Sequence, residues 1–517
     1  MSTQLGTLIS CILAEYFGET IEKIGSFLYT WGPNPLALIS KNTSVPIEKT
    51  KISLCFLIKY GLVNFEPGRT PSTANYYLIH EKLLHLLRYS RYIAIIKKKY
   101  GNIAEVTLEN ILCHGIVRAS DTILAIAKRL QQQNDEEETV DLSRLRDMFF
   151  TFIANQYIMR VPSPISDNEK IPTLKISERD LYLAPEIDIK LLSEIFNETN
   201  AENKKEHTND KDVYWRINFD RFHQDFRDAT LISAVKRRTD ENGGELMAIL
   251  LKLMYIRTEP WADISNPIPV SEIKDVLRNQ NTNPNLLLYL DQYLTIIEND
   301  PCKFLMKIGE TGGGQYVINL KETFIQLAWA TVENIIAEKY GSHAARIFRL
   351  VRSKKFIEAD HIPQLSMMQI KDAKRLTYLL LEENLLQMRE LRKVQTNNSG
   401  PIKTFILFHI NFDQVARMIL DISYKCMYNL KVRRKHFVTI NKPIIDKKHR
   451  ADAIELDLKS KVPEDELEEI LSELITPAER DILGKIGTTI KKLNASALNL
   501  DDTIFLLQLY MLYTAKE

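Results

Sequence analysis

The sequence reads as a mainly α protein with small β wings: four tandem winged-helix domains, some of them extended, followed by a C-terminal helical hairpin or coiled coil. Three observations carry this reading. The first ninety residues place three helices before a β-hairpin, the order of a winged helix. The ending of that unit (an amphipathic helix, a short polar break, a brief β-rich run) recurs three more times. The last fifth of the chain drops the β-rich runs for apolar residues at four-three spacing.

In the first copy, Ile21, Ile24, Phe27 and Leu28 form one apolar helical face that ends at Trp31-Gly32-Pro33. Pro35–Ser40 is a short second helix. The third starts near Pro46, a favourable first-turn residue, and runs to Tyr60 with Ile47, Leu54, Leu57 and Ile58 expected to face inward. Gly61 falls where a C-cap needs positive φ, and Leu62–Phe65 and Tyr76–Ile79 are expected to pair around the Pro67–Pro71 tip.

The second copy (91–162) ends in helix Asp141–Ala154, the break Asn155-Gln156 and strand Tyr157–Val161. A charged segment, 163–212, is expected to be a linker, with Leu181–Phe196 apolar enough to dock as a short helix. The third copy (213–322) is expected to place helix Asn285–Gln292 before strands Tyr293–Ile297 and Tyr316–Leu320. The fourth (323–411) places helix Met368–Glu382 and the break Glu383-Asn384 before Leu385–Arg392 and Thr404–Ile410, with Val394–Pro401 as its wing tip.

In the tail (412–517), Phe412–Phe437 is a long helix with Val415, Ile419, Ile422, Cys426 and Leu430 on one face. The charged stretch Asn441–Lys461 follows, then an acidic helix with Leu467, Leu471 and Leu474 on one face. Thr476-Pro477-Ala478-Glu479 is a capping box that opens another helix with Ile482, Ile486, Ile490 and Leu493; Asp501-Asp502 are expected to start a last one.

Composition narrows the function. Over 517 residues, 45% hydrophobic and 26% charged residues suit a folded soluble protein. Lys+Arg (68) and Asp+Glu (67) nearly cancel, so contact with nucleic acid has to come from local patches or from a larger assembly. Five scattered cysteines show no metal or disulfide spacing, which fits a reducing compartment. The strongest apolar run, Leu246–Ile256, is too short to span a bilayer and is interrupted by Lys252. The N-terminus lacks the basic region and cleavage site of a signal peptide.

No catalytic motif is found. Gly312-Gly313-Gly314 lacks the Lys-Ser/Thr ending of a P-loop and reads as a hairpin turn. The ten histidines are dispersed, and no closely spaced Asp triplet could hold catalytic magnesium. The expectation is therefore a chain with no catalytic residues, no metal site and no cofactor. The remaining functional signals are basic clusters: Lys97-Lys98-Lys99, Lys236-Arg237-Arg238, Arg346, Arg349 and Arg352 with Lys354-Lys355, and Arg433-Arg434-Lys435. Each could position a phosphate backbone, and each could equally be a solvated helix end. The Arg346 series is preferred because its spacing makes one stripe, though a protein partner could use the same stripe. Phe219, Phe222 and Phe226 sit at i, i+3, i+7, so packing in the core is preferred over stacking on bases.

Several segments resemble one family. Glu15–Gly25 with Pro35-Leu36, Leu86–Ile93, Asp220–Asp228, Gly313–Leu320, Ala345–Val351, Thr476–Arg480 and Asp502–Leu507 match, in order, the signatures of the RNA polymerase III third-largest-subunit family. One departure is Ser90, where that family is expected to carry proline. The family is similar to the alpha subunit of the general factor TFIIE. The resemblance implies a nuclear, non-catalytic subunit of a heterotrimer that also holds a smaller tandem-winged-helix subunit and an acidic subunit. It implies docking on the clamp of the largest polymerase subunit, with a role in transcription initiation and promoter opening at small-RNA genes (tRNA, 5S rRNA). Weak, sequence-independent contact with promoter DNA, including single strands, follows from the same resemblance; a membrane does not. Leu467, Leu471, Leu474, Ile482 and Ile486 are the expected docking residues of the tail. Two rivals stand beside this reading. A free-standing winged-helix regulator would need base-reading polar residues where the first copy offers Lys49, Lys51, Ser53 and Lys59. A helical-repeat scaffold with one terminal winged helix would have its clearest copy at the other end.

Overall fold

The recurring sequence ending folds into a recurring sheet. The computed structural model describes residues 2–68, 73–133, 141–164, 171–172, 174–197, 210–279, 284–393, 403–458 and 474–515. These divide into two compact units, one spanning Ile9–Ser233 and the other Ala234–Glu517 with Ser2–Leu8.

The chain opens with α1 (Thr3–Phe17) and α2 (Glu19–Trp31). Helix α1 was not anticipated, yet its Ile9, Ile12 and Leu13 are fully buried, and α2 approaches so closely that a Cβ on Gly25 would overlap the Leu13 side chain. Strand β1 (Asn34–Pro35), α3 (Leu36–Thr43) and α4 (Ile47–Lys59) follow, then the wing strands β2 (Val63–Pro67) and β3 (Ala74–Leu78). The sheet order is β1-β3-β2, all antiparallel. One expectation is corrected here: Ile47 points outward and is 52% exposed, because Thr50, Ser53, Leu54 and Leu57 form the inner face of α4.

Helices α5 (His80–Leu83), α6 (His85–Tyr100), α7 (Asn102–His114), α8 (Ala119–Gln133) and α9 (Leu142–Ala154) lead to β4 (Ile158–Arg160). Its partner lies far along the chain. After the short pair β5 (Ser163–Pro164) and β6 (Leu174–Lys175) and the helix α10 (Ile189–Asn197), the chain returns as β7 (Trp215–Ile217). Strand β7 pairs with β4 on one side and bridges to Val117 on the other, which repeats the three-strand order of the first sheet. Residues 163–212, expected as a linker, thus leave one sheet and re-enter it. Trp215, expected at the start of the next copy, is fully buried edge-on to Phe149, and α10 packs Leu192 and Ile195 against Ile123 and Leu145. Helix α11 (Phe219–Arg238) closes this part.

The second unit starts from α12 (Glu241–Arg257), apolar almost all round and buried through Leu246, Met247, Leu250 and Met254. Strand β8 (Ile268–Pro269), α13 (Val270–Asn279), α14 (Pro284–Leu288) and α15 (Leu290–Glu298) precede the hairpin β9 (Leu305–Gly309) and β10 (Gln315–Ile318). Two expectations change. Tyr293–Ile297 is helical, because Leu290, Leu294 and Ile297 share one buried face, and the first wing strand falls instead at Leu305–Gly309. The triple glycine does turn the hairpin, with positive φ at Gly312, Gly313 and Gly314.

A long helix, α16 (Leu320–Tyr340), leads into the fourth copy: α17 (Ser342–Lys354), β11 (Ile357–Glu358), α18 (His361–Ser366), α19 (Ile370–Glu382), β12 (Gln387–Lys393) and β13 (Lys403–His409). The sheet order is again short strand, second wing strand, first wing strand. The expected tip Val394–Pro401 lies outside the described residues.

Among the described residues the tail contains α20 (Phe412–Ile440), α21 (Lys442–Leu458) and α22 (Pro477–Thr514). The charged stretch after Asn441 is therefore a helix over Lys442–Leu458, and no new helix starts at Asp501. Helix α22 runs unbroken through that point, because Ile504, Phe505, Leu507, Tyr510 and Tyr513 bury against α16 and α20 in one continuous face. Trp329 stacks on Phe412 at 3.9 Å, and Phe324 on Tyr513 at 5.8 Å.

Candidate nucleic-acid and partner surfaces

A winged helix contacts DNA mainly through the helix before the wing, so the four such helices α4, α9, α15 and α19 are the first surfaces to inspect. On α4 the outer face alternates charge with bulk: Lys49, Lys51 and Lys59 lie among Ile47, Ile52 and Phe56, and the last two are 58% and 48% exposed. Polar base-reading side chains do not dominate this face, and an exposed apolar cluster on a folded surface marks a protein contact. Helix α19 is different. Lys371, Lys374, Arg375 and Tyr378 fall at i, i+3, i+4 and i+7 on its exposed side, and none makes an ion pair among the described residues. Sequence reasoning missed this stripe, because its cations alternate with Ala373, Leu376 and Thr377 and form no run.

The clusters that do form runs are largely occupied within the fold. Lys97 pairs with Glu105 at 2.7 Å, and Lys99 donates to the Tyr157 hydroxyl and to Asp225, each at 2.8 Å. Lys98 is exposed. Lys236 pairs with Glu241, Arg238 donates twice to Asp300 at 3.0 Å, and Arg237 is exposed. On α17, Arg349 and Arg352 converge on the carboxylate of Glu333 from α16, each at 2.8 Å. Arg352 also donates to Gln326 and lies 4.5 Å above the Trp329 ring. Arg346 makes only a 3.4 Å contact with the Ser366 carbonyl, and Lys354 and Lys355 are exposed beyond it. The stripe read from spacing is thus half spent: one buried acid neutralises two of its three arginines. Arg433, Arg434 and Lys435 are exposed on α20.

Of the expected tail contacts, Leu467 and Leu471 lie outside the described residues. Leu474 is half-buried, Ile482 is 40% exposed, and Ile486 is buried. The aromatic triplet of α11 packs as a core should. Phe222 and Phe226 are buried against Tyr92 at 4.8 and 5.5 Å between ring centres, and Phe219 packs on His85. Within this cluster the His223 ring lies 3.0 Å from the Tyr92 hydroxyl. Burial, with the Arg88 charge adding to it, pulls the His223 pKa down to about 3. No group of His, Cys, Asp and Glu among the described residues could hold a metal, and no described helix is long and apolar enough to cross a membrane.

Comparison with known proteins agrees with this architecture segment by segment. Residues 7–67 match the RNA polymerase III subunit RPC82 helix-turn-helix domain, and 148–327 match RNA polymerase III subunit RPC82. Residues 332–410 match the C-terminal winged-helix domain of POLR3C, and 443–506 the helical hairpin domain of DNA-directed RNA polymerase III subunit RPC3. The chain is 34% identical to the Homo sapiens DNA-directed RNA polymerase III subunit RPC3 over 532 aligned residues, covering 99% of this chain and 98% of that protein. The chain belongs to the RPC3 family of RNA polymerase III subunits. The Danio rerio RPC3 is 32% identical over 99% of both chains, and the Dictyostelium discoideum rpc3 is 20% identical over 85% of this chain and 93% of that protein. Membership agrees with the mainly α fold with small wings, and the helical hairpin model falls on α21 and α22, the RPC3 segment expected to be coiled.

Proposed function

We propose that this RPC3-family chain is a non-catalytic, nuclear subunit of RNA polymerase III that works in a heterotrimeric initiation subcomplex. Its partners in this reading are the clamp of the largest subunit, a smaller tandem-winged-helix subunit and an acidic subunit. Its task is to help open promoter DNA at small-RNA genes while touching that DNA weakly and without reading sequence. The observation that carries the proposal is the end-to-end likeness to RPC3 proteins. Two surface features support the division of labour. The apolar outer face of α4 suits a protein, and the cations left uncompensated (Arg346, Lys354, Lys355, Lys98, Arg237 and the α19 stripe) suit phosphates. Leu474, Ile482 and Ile486, with Leu467 and Leu471, are the proposed polymerase-docking residues of the tail.

The test is affinity purification of a tagged copy from nuclear extract at moderate salt. Recovery of the polymerase III core with two small partner subunits is expected, and recovery of the chain alone overturns the proposal. Isolated chain should bind single-stranded and duplex DNA with a Kd on the order of micromolar or weaker, and the affinity should fall steeply with salt. Lys374→Glu with Arg375→Glu should weaken all sequences alike; tight discrimination between duplexes would favour a free-standing regulator instead.

A further inference from the structure

The first unit contains a cavity of about 190 Å³ between the wing side of the first winged helix and the sheet of the second. Its volume is about six times the share of one water molecule in the liquid, enough for a tetrahedral anion with a partial hydration shell. It is a partly open cleft with an uneven charge lining. Lys59, Lys82 and Arg216 line it with a single carboxylate, Asp220, an excess of two positive charges; Lys59 and Asp220 are exposed at its edge, and Lys82 and Arg216 are half-buried. Two buried nitrogen atoms in the same wall, His85 Nδ1 and Arg216 Nε, have no hydrogen-bond partner. Native interiors seldom leave such polar atoms unmet.

The cations also destabilise one another. Burial lowers the pKa of both Lys82 and Arg216; Arg216 lowers Lys82 further, while Asp220 opposes the shift on each. His85 is held well below the usual histidine range, first by burial and then by His223, Arg88 and Lys82. Nothing on α5, α6, β7 or the start of α11 supplies a second carboxylate to this wall. The ring of Phe219 lies 4.8 Å from His85 and stacks on Tyr89, which fixes the imidazole from behind.

We infer that this cavity is a binding site for a phosphate-class oxyanion, held by Lys82 and Arg216. An oxyanion accepts from the Lys82 and Arg216 side chains and offsets the charge excess. The site stands apart from the DNA surfaces proposed above, none of whose residues line it.

The experiment is calorimetric titration of the full chain with inorganic phosphate in chloride buffer, for the natural sequence and for Lys82→Gln and Arg216→Gln. Saturable binding that weakens about ten-fold or more in each variant is expected. Thermal unfolding without phosphate guards against misfolding. Removing one repelling cation should leave the midpoint unchanged or raise it, and a variant that unfolds earlier is replaced by Lys82→Met, which keeps the bulk of the side chain. A second titration adds an oligothymidylate. If it displaces phosphate, the natural anion is a nucleic-acid backbone phosphate; if it does not, the anion is a free one. No saturable binding of phosphate, or binding indifferent to both substitutions, overturns the inference. So does saturable binding of polyglutamate when phosphate itself fails to bind, which would assign the cavity to an acidic peptide.

Discussion

Single side chains decide how much of the surface charge is available. Glu333 is the clearest case: its carboxylate is almost buried and holds both Arg349 and Arg352. Glu333→Gln should therefore act in two directions. It removes the partner of two cations, Arg349 exposed and Arg352 partly buried, at a cost on the order of 1 kcal/mol by thermal or denaturant unfolding. It should also strengthen DNA binding several-fold if the α17 stripe faces DNA; an unchanged DNA affinity would place that stripe elsewhere. His223 sets a pH limit. Its pKa in the fold is about 3, below the roughly 6.5 of an unfolded histidine. Between those values the unfolded chain binds the extra proton, so stability is complete above pH ~6.5 and is lost as pH falls toward 3. The loss at pH 5 is on the order of 2 kcal/mol for this ring. His223→Gln should flatten that slope in unfolding measured from pH 7 to pH 4. Neither feature was legible in the sequence: Glu333 lies 16 and 19 residues from its partners, and the periodic phenylalanines of α11 announced a core but not the histidine inside it.

At the next level, three of the four copies pass from helix to wing through the same hydrogen bonds. Leu62 N–H donates to Leu57, Tyr157 to Phe152 and Leu385 to Leu380, all at 2.9 Å. The residue just before each donor, Gly61, Gln156 or Asn384, has positive φ. This is the geometry of a Schellman ending, and it explains why a polar break reliably marked the end of each helix. Gln156→Gly should stabilise the second copy slightly, by under about 1 kcal/mol, because glycine takes this conformation without strain; a clear loss of stability would mean that the glutamine side chain matters. The third copy breaks the rule, and there the reading misplaced the strand. Apolar Tyr293–Ile297 fits a strand or a helix by composition, and the choice was made by the core contacts of Leu294 and Ile297. The same logic explains α22. Asp501-Asp502 has the composition of a helix start, but burial of five later side chains holds the helix straight through it. The capping box at Thr476, whose contacts are all local, was read correctly, and with Lys447 it holds the Glu479 carboxyl down at about 2.

For the whole molecule, the pairing of β4 with β7 makes a prediction about cleavage. A protease site inserted between Asn203 and Lys204 should give two fragments that stay together on gel filtration, because Ser120 holds Asp210 at 2.7 Å and Trp215 stays in the core. Fragments that separate would mean that the 163–212 segment behaves as a simple linker. What could be read from the chain alone was whatever rests on neighbours in sequence: helix periodicity, caps, turn glycines, the number of copies, the absence of catalytic spacing and the family signatures. These are set within a few turns of backbone, so each leaves a local pattern. What waited for the fold was every pairing across distance. The partner of β4, the acid that spends two arginines, the bare stripe on α19 and the unbalanced cations around the Lys82 cavity all depend on which surfaces meet. Burial and charge compensation are properties of those meetings, and a linear pattern carries no record of them.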